Sequence, residues 1–95
     1  MTTPLLEFDN VDGRRAIRGD CDVTNADQID SWLAGFDGAP IDLDLSGVTF
    51  LDSSILHVLM KVKQRNGRLH LVNPSAVVLR LLDITGTRDY LMNDA

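Results

Sequence analysis

Between Ile41 and Val72 the apolar pattern changes period twice, and this constrains the fold more than any other feature of the chain. "IDLDL" alternates strictly, placing Ile41, Leu43 and Leu45 on one side of a strand and Asp42 and Asp44 on the other. From about Ser54 to Asn66 the apolar residues recur at helical spacing, and "RLHLV" then returns to alternation. A strand, helix and strand joined by connections this short form a crossover unit, which makes the two strands parallel neighbours in one sheet.

The flanking segments extend that unit. Leu5 to Phe8 and Arg15 to Arg18 read as short strands around "DNVDG", whose Asn, Asp and Gly are turn formers, so a hairpin opens the chain. "TNADQIDSWLAGF" spaces Ile29, Trp32, Leu33 and Phe36 along one helical face, with Thr24 or Asn25 as cap and Gly38 beyond the end. Gly67 is placed to supply a left-handed stop for the second helix. "NPSAVVLRLLDITG" reads as a third helix, capped by Ser75, striped by Val78, Leu81 and Leu82, and ended by Gly86. The tail "TRDYLMNDA" is left unassigned. The expected architecture is a small single α/β domain over residues 1–95, with a mixed sheet, an antiparallel edge from the hairpin, and helices packed on it.

Composition excludes several classes of function. The 95 residues are 44% apolar and without repeats, enough for one modest core and unlike a disordered chain. A formal charge of −5 argues against a nucleic-acid partner, since phosphate binders cluster Lys and Arg. The single cysteine, Cys21, forms no internal disulfide, and "MTTPLLEFDN" lacks the pattern of an export signal, so the expected location is the cytoplasm. No apolar run reaches the roughly 20 residues that span a bilayer, so no membrane insertion is expected.

Asp52, Ser53 and Ser54 stand where the strand hands over to the second helix, at the carboxyl end of a parallel strand, where functional residues of open sheets gather. A serine there is a good helix cap. A cap accounts for one hydroxyl, not for two plus an acid. A phosphoryl group at that helix start meets unpaired N–H groups and also adds a charge of about −2 beside Asp52, which makes a workable charge switch.

Other constellations support duller readings. Asp42, Asp44 and Asp52 include carboxylates suited to magnesium, but Asp42 and Asp44 alternate with apolar residues as solvated strand positions do. His57 and His70 lie on different elements with no third ligand, so neither a metal nor a cofactor is expected. A serine hydrolase with Ser53 or Ser54 as nucleophile and His57 as base lacks the Gly-x-Ser-x-Gly elbow, and so small a chain leaves little room for a cleft. Cys21, between Asp20 and Asp22, lacks the cations that activate a thiol and reads as a loop residue. The expected protein is not an enzyme. In the second helix Ile55, Leu56, Leu59 and Val62 form a stripe flanked by Val58 and Met60, an arc wide enough for deep burial or for a partner surface.

The run "IDLDLSGVTFLDSSILHVLMKVKQRNGRLHLVNPSAVVLRLLDITG" resembles the STAS domain of bacterial anti-sigma factor antagonists, through "DLSGVTFLDSS", "LHLVNPS" and "LRLLDITG". "AIRGDCDVTNADQIDSWL" resembles the family's first strand-to-helix segment more loosely. The resemblance implies an antagonist that binds an anti-sigma factor of the serine-kinase type and frees a sigma factor. It also implies inactivation by phosphorylation of the second serine of "DSS", here Ser54, with a phosphatase as a further partner. Asp52, Ser53, Ser54, Ile55, Val58 and Met60 are then the expected partner-binding residues. The chain departs from the family at Ile55, where a small residue is usual, and this points to selectivity for a cognate partner. The alternative is a STAS accessory subunit of a transporter or larger signalling assembly, working without phosphorylation.

Overall fold

The structure, a computed structural model, describes residues 6–11, 14–36 and 38–92. The elements follow in order: β1 (Glu7–Val11), β2 (Arg14–Cys21), a short 3-10 turn (Val23–Asn25), α1 (Ala26–Ala34), β3 (Ile41–Leu51), α2 (Ser53–Arg65), β4 (Leu69–Val72), α3 (Ala76–Thr85) and α4 (Arg88–Met92). One mixed sheet runs β1-β2-β3-β4. β1 pairs antiparallel with β2, while β2 with β3 and β3 with β4 are parallel. The expected small α/β domain with an antiparallel edge is the architecture observed.

One face of the sheet carries Ile17, Ile41, Leu43, Leu45, Leu69 and Leu71, all buried in one cluster with Ile29 and Leu33 of α1, Ile55, Leu59 and Val62 of α2, and Val78 and Leu82 of α3. The other face is polar, with Arg18 bonded to Asp9 at 3.1 Å across the hairpin and His70 Nδ1 3.9 Å from Asp42. Among the described residues no helix is long and apolar enough to cross a membrane.

Several boundaries differ from the sequence reading, each for a local reason. Asp9 and Asn10 pair with Ala16 and Arg15 in the ladder, so the hairpin strands run further than their turn-forming residues imply. Leu5 and the turn residues Asp12 and Gly13 lie outside the described residues. Asn25 stands at the N-cap of α1 as expected but makes no side-chain cap bond. The capping is done one turn earlier by Asp22, ahead of the 3-10 turn, whose carboxylate accepts from Thr24 N at 2.9 Å while Asn25 Oδ1 accepts from Asp22 N at 2.9 Å. α1 stops at Ala34, before Phe36, which still packs edge-on against Trp32 with 5.3 Å between ring centroids. Gly38 is left-handed, with φ 87°, but in the following turn.

Asn66, not Gly67, closes α2, in an extended conformation (φ −133°, ψ 95°). Its buried side chain donates to Ala39 O at 2.9 Å and accepts from Arg68 N at 3.1 Å, tying the helix end to the neighbouring loop. Ser75 and Gly86 bound α3 as expected, Gly86 in the left-handed region, although Ser75 makes no side-chain cap bond. The unassigned tail contains α4, anchored by the fully buried Leu91.

Candidate functional site

β3 continues six residues beyond the alternating "IDLDL", and its last residues set the geometry of the site. Ala16 and Arg18 of β2 face Asp44 and Gly47, while Gly19 and Asp20 face Val48 and Phe50. At each step β3 contributes one residue more than β2, so the strand carries two bulges. Gly19, with φ 105°, sits at the second break, in a conformation that costs glycine little. Gly47 sits at the first, where an added Cβ would stand 2.4 Å from Arg18 Cγ. The Arg18 side chain therefore lies over a position only glycine can fill.

The bulges shift the phase of burial. The inward positions move from Ile41, Leu43 and Leu45 to Val48 and Leu51, and Phe50 is left exposed. After Leu51 the chain is extended at Asp52 (φ −104°, ψ 178°) and turns directly into α2.

Asp52 is the cap. Its Oδ1 accepts from Ser54 N at 3.0 Å, Ser54 Oγ at 2.5 Å and Ile55 N at 3.3 Å, and the backbone N–H of Val23 also reaches the carboxylate. Asp52 N donates to Cys21 O at 3.2 Å, joining the end of β2 to the start of α2. Partial burial pushes the Asp52 carboxyl up, but the Ser54 hydroxyl and the N–H groups of Ile55, Ser54 and Val23 outweigh it and hold the pKa below the usual carboxylate value. The acid of the "DSS" motif is thus the helix cap, and Ser54 is a hydroxyl oriented by it, a division of roles that residue types alone leave open.

The loop after β2 repeats this chemistry beside it. Asp22 Oδ1 accepts from Thr24 N and from Thr24 Oγ1 at 2.5 Å, and Asp20 Oδ1 accepts from Thr49 Oγ1 at 2.5 Å. A sequence signal was available: of the four Asp-x-Ser/Thr triplets, the three outside helix interiors, at 22–24, 44–46 and 52–54, have the acid accepting both N–H and hydroxyl of the residue two ahead, while Thr85 of the fourth, at 83–85 within α3, donates back to Leu81 O. Asp20, Asp22, Val23, Thr49 and Phe50 belong to this end of the molecule and are absent from the residues expected at the site. Cys21 is not a loop residue; it ends β2, buried. Desolvation, reinforced by Asp20, Asp22 and Asp52, pushes its thiol up to about 12. A thiol so protonated is a poor nucleophile at neutral pH.

The expected partner-binding residues separate in space. Ser53 is exposed, and Asp52 and Ser54 are half-buried at the surface. Ile55 is 1% exposed and Val58 7%, so both side chains belong to the core, and Met60 is partly buried against it. The wide apolar arc of α2 is explained by this deep burial: the helix packs beside α1 and against β4 and α4. His57 is exposed, and the proton of Ser54 Oγ is directed at Asp52, not at an imidazole. Asp42 and Asp44 stand ten and eight residues before Asp52, about 33 and 26 Å away at the rise of an extended strand. Among the described residues no three His, Cys, Asp or Glu side chains converge as a metal site.

The fold is shared with solved proteins. An anti-sigma factor antagonist from Mycobacterium paratuberculosis matches with a TM-score of 0.75 and 23% identity, over 94% of this chain and 82% of that one. The anti-sigma factor antagonist SpoIIAA in its unphosphorylated form matches with a TM-score of 0.72 and 23% identity, over 93% and 86%. An anti-sigma-factor antagonist (STAS) domain protein from Planctomyces limnophilus matches with a TM-score of 0.70 and 22% identity, over 92% and 85%. No curated protein gives a significant sequence match. The family model described as "Mlab, STAS domain" matches residues 7–92, the whole sheet and all four helices, and the chain therefore belongs to the STAS domain family.

Proposed function

We propose that this protein is an anti-sigma factor antagonist that binds an anti-sigma factor of the serine-kinase type and is switched off by phosphorylation of Ser54. The observation that carries the reading is the Ser54 hydroxyl, half-buried at the first turn of α2 and held 2.5 Å from the capping carboxylate of Asp52. The solved neighbours described as anti-sigma factor antagonists support it through their shared fold. Transfer of the γ-phosphoryl group of ATP forms the Ser54 Oγ–P bond as the γ-phosphorus bond to the bridging oxygen of ADP breaks; ADP and the hydroxyl proton leave, the bond to Asp52 is lost, and a charge of about −2 is added at that point. The phosphate and Asp52 then compete for the same N–H groups at the start of α2. A partner surface fitted closely to the small hydroxyl is then displaced by the bulk of the phosphate and by the rearranged start of α2.

The partner meets this end through Asp52, Ser53 and Ser54. Ile55 and Val58 act from beneath, by fixing α2 on the core, and Met60 contributes its exposed part. A phosphatase restoring the hydroxyl completes the cycle.

The same hydrogen bond favours a second reading. A hydroxyl already committed to the cap also serves as a purely structural second donor, as in a STAS accessory subunit of a transporter or signalling assembly that is never phosphorylated. Phosphosite mapping after incubation with the anti-sigma factor and ATP separates the two, together with binding measurements on Ser54→Ala and Ser54→Asp. The switch reading expects phosphate on Ser54, binding retained in Ser54→Ala and weakened in Ser54→Asp. An unmodified Ser54, with both variants binding as the native protein does, leaves the accessory-subunit reading.

A further inference from the structure

The charges of the chain are unevenly divided. Between Gly19 and Met60 there are eight aspartates and no lysine or arginine. Further along the molecule Asp30 meets Lys61 and Arg65, and Asp44 meets Arg14. At the carboxyl ends of β2 and β3 no such partner exists: among the described residues no lysine or arginine stands within salt-bridge distance of Asp20, Asp22 or Asp52. These three carboxylates are supported instead by the hydroxyls of Thr49, Thr24 and Ser54. They are held in place without being neutralised.

Two large apolar side chains stand exposed within this group, Val23 at 69% and Phe50 at 47%. Phe50 lies across from Asp20 in the ladder, turned outward by the second bulge of β3, and Val23 lies between Asp22 and Thr24 with its N–H on Asp52. The other exposed large apolar residues, Ile84 and Tyr90, sit in mixed charge, with Arg88 against Asp83 and Lys63 Nζ 6.0 Å from the Tyr90 ring. Beside the first pair, among the described residues, the carboxylates of Asp20, Asp22 and Asp52 have no lysine or arginine partner, and Arg18, two residues from Asp20 on β2, is engaged by Glu7 and Asp9.

We infer that Val23 and Phe50, set among Asp20, Asp22 and Asp52, form a docking surface for a protein segment that presents a lysine or arginine beside an aliphatic or aromatic side chain. The apolar pair supplies area to bury, and the unneutralised carboxylates select a cationic partner and repel acidic ones. The inference rests on the reading of this end as the partner-binding surface and adds the partner's chemistry.

The test is selection of a random peptide library displayed on phage against the whole protein, with the recovered peptides titrated against native protein, Val23→Ser and Phe50→Ser, each checked for folding by circular dichroism. The expected consensus combines basic and apolar residues, with affinity falling about tenfold or more in either variant and falling again as salt is raised. If Phe50→Ser does not fold, Val23→Ser still decides, since Val23 is the more exposed of the two. Failure to recover a binder overturns the inference. So do a consensus without basic residues, and peptides that bind both variants as they bind the native protein. The selection uses neither ATP nor an anti-sigma factor, so its failure is distinguishable from failure of the Ser54 switch.

Discussion

The carboxylate of Asp52 caps α2 and, with the same oxygen, accepts the hydroxyl of Ser54 at 2.5 Å. Helix stability and the state of the candidate phosphoacceptor are therefore linked through one atom. Any group that takes Ser54 away from Asp52, or Asp52 away from the helix, is felt at both.

Removal of that cap lowers stability by about 1 kcal/mol, within the usual range of 0.5 to 2 for a capping residue. Asp52→Ala is expected to show this in urea unfolding at neutral pH. Because the folded pKa of Asp52 is depressed, its contribution is complete above the unfolded carboxylate value of about 3.9 and is lost as pH falls through the folded value. Asp44 is depressed too: desolvation raises it, but bonds from Ser46 and Asn73 and the charge of Arg14 prevail, so it destabilises the fold in acid in the same sense. The difference between native protein and Asp52→Ala should shrink below about pH 4. A gap that stays constant down to acid pH would show that the carboxylate charge plays no part in the cap.

Gly47→Ala places a Cβ against Arg18 Cγ and within 3.1 Å of Arg18 Cβ, too near the backbone for a tip movement to relieve. The Arg18 side chain must leave its place, breaking its pairs with Glu7 and Asp9. A loss of about 1 to 3 kcal/mol is expected, as for other overpacked sites. Gly47→Ala combined with Arg18→Ala should recover most of it. Additive losses in the double mutant would locate the strain elsewhere in β3.

Ile55 acts through packing. With 1% exposure, its truncation in Ile55→Ala is expected to cost about 2 to 5 kcal/mol, and Ile55→Val about 0.5 to 1.5. Binding of a partner, measured under conditions where both variants are folded, should change little by comparison. Native-like stability together with altered partner choice would place the side chain at the interface after all.

Cys21 should resist alkylation. Its buried thiol, at about 12, contributes almost no thiolate at pH 8. Iodoacetamide is expected to leave the folded protein unmodified and to add one adduct in denaturant, read by intact mass. Rapid modification of the native protein would mean that the β2 end opens readily.

The sequence by itself determined the crossover unit, the mixed sheet and the inward faces of the helices. Those are periodic features, and periodicity is a local property set by 2.0 or 3.6 residues per turn. Ile29 and Leu33, Ile41 and Leu43, and Val78 and Leu82 are buried as their spacing implied. The resemblance of "DLSGVTFLDSS" pointed to residues 52–54, which the fold places at the junction of β3 and α2.

What tertiary structure decided lies mainly where the period breaks. β3 passes Leu45 through two bulges, and no binary pattern reveals a bulge, because it is defined by the partner strand's register and by room for Arg18 above Gly47. That phase change turns Phe50 outward, buries Leu51 and puts Asp52 in the capping position. Three residues that all cap well, an acid and two serines, stood at 52–54, and only the path of the chain out of the sheet selected the acid. The wide arc of α2 was likewise explained only by its neighbours: α1, β4 and α4 close around it, and Ile55 and Val58 are buried in the core.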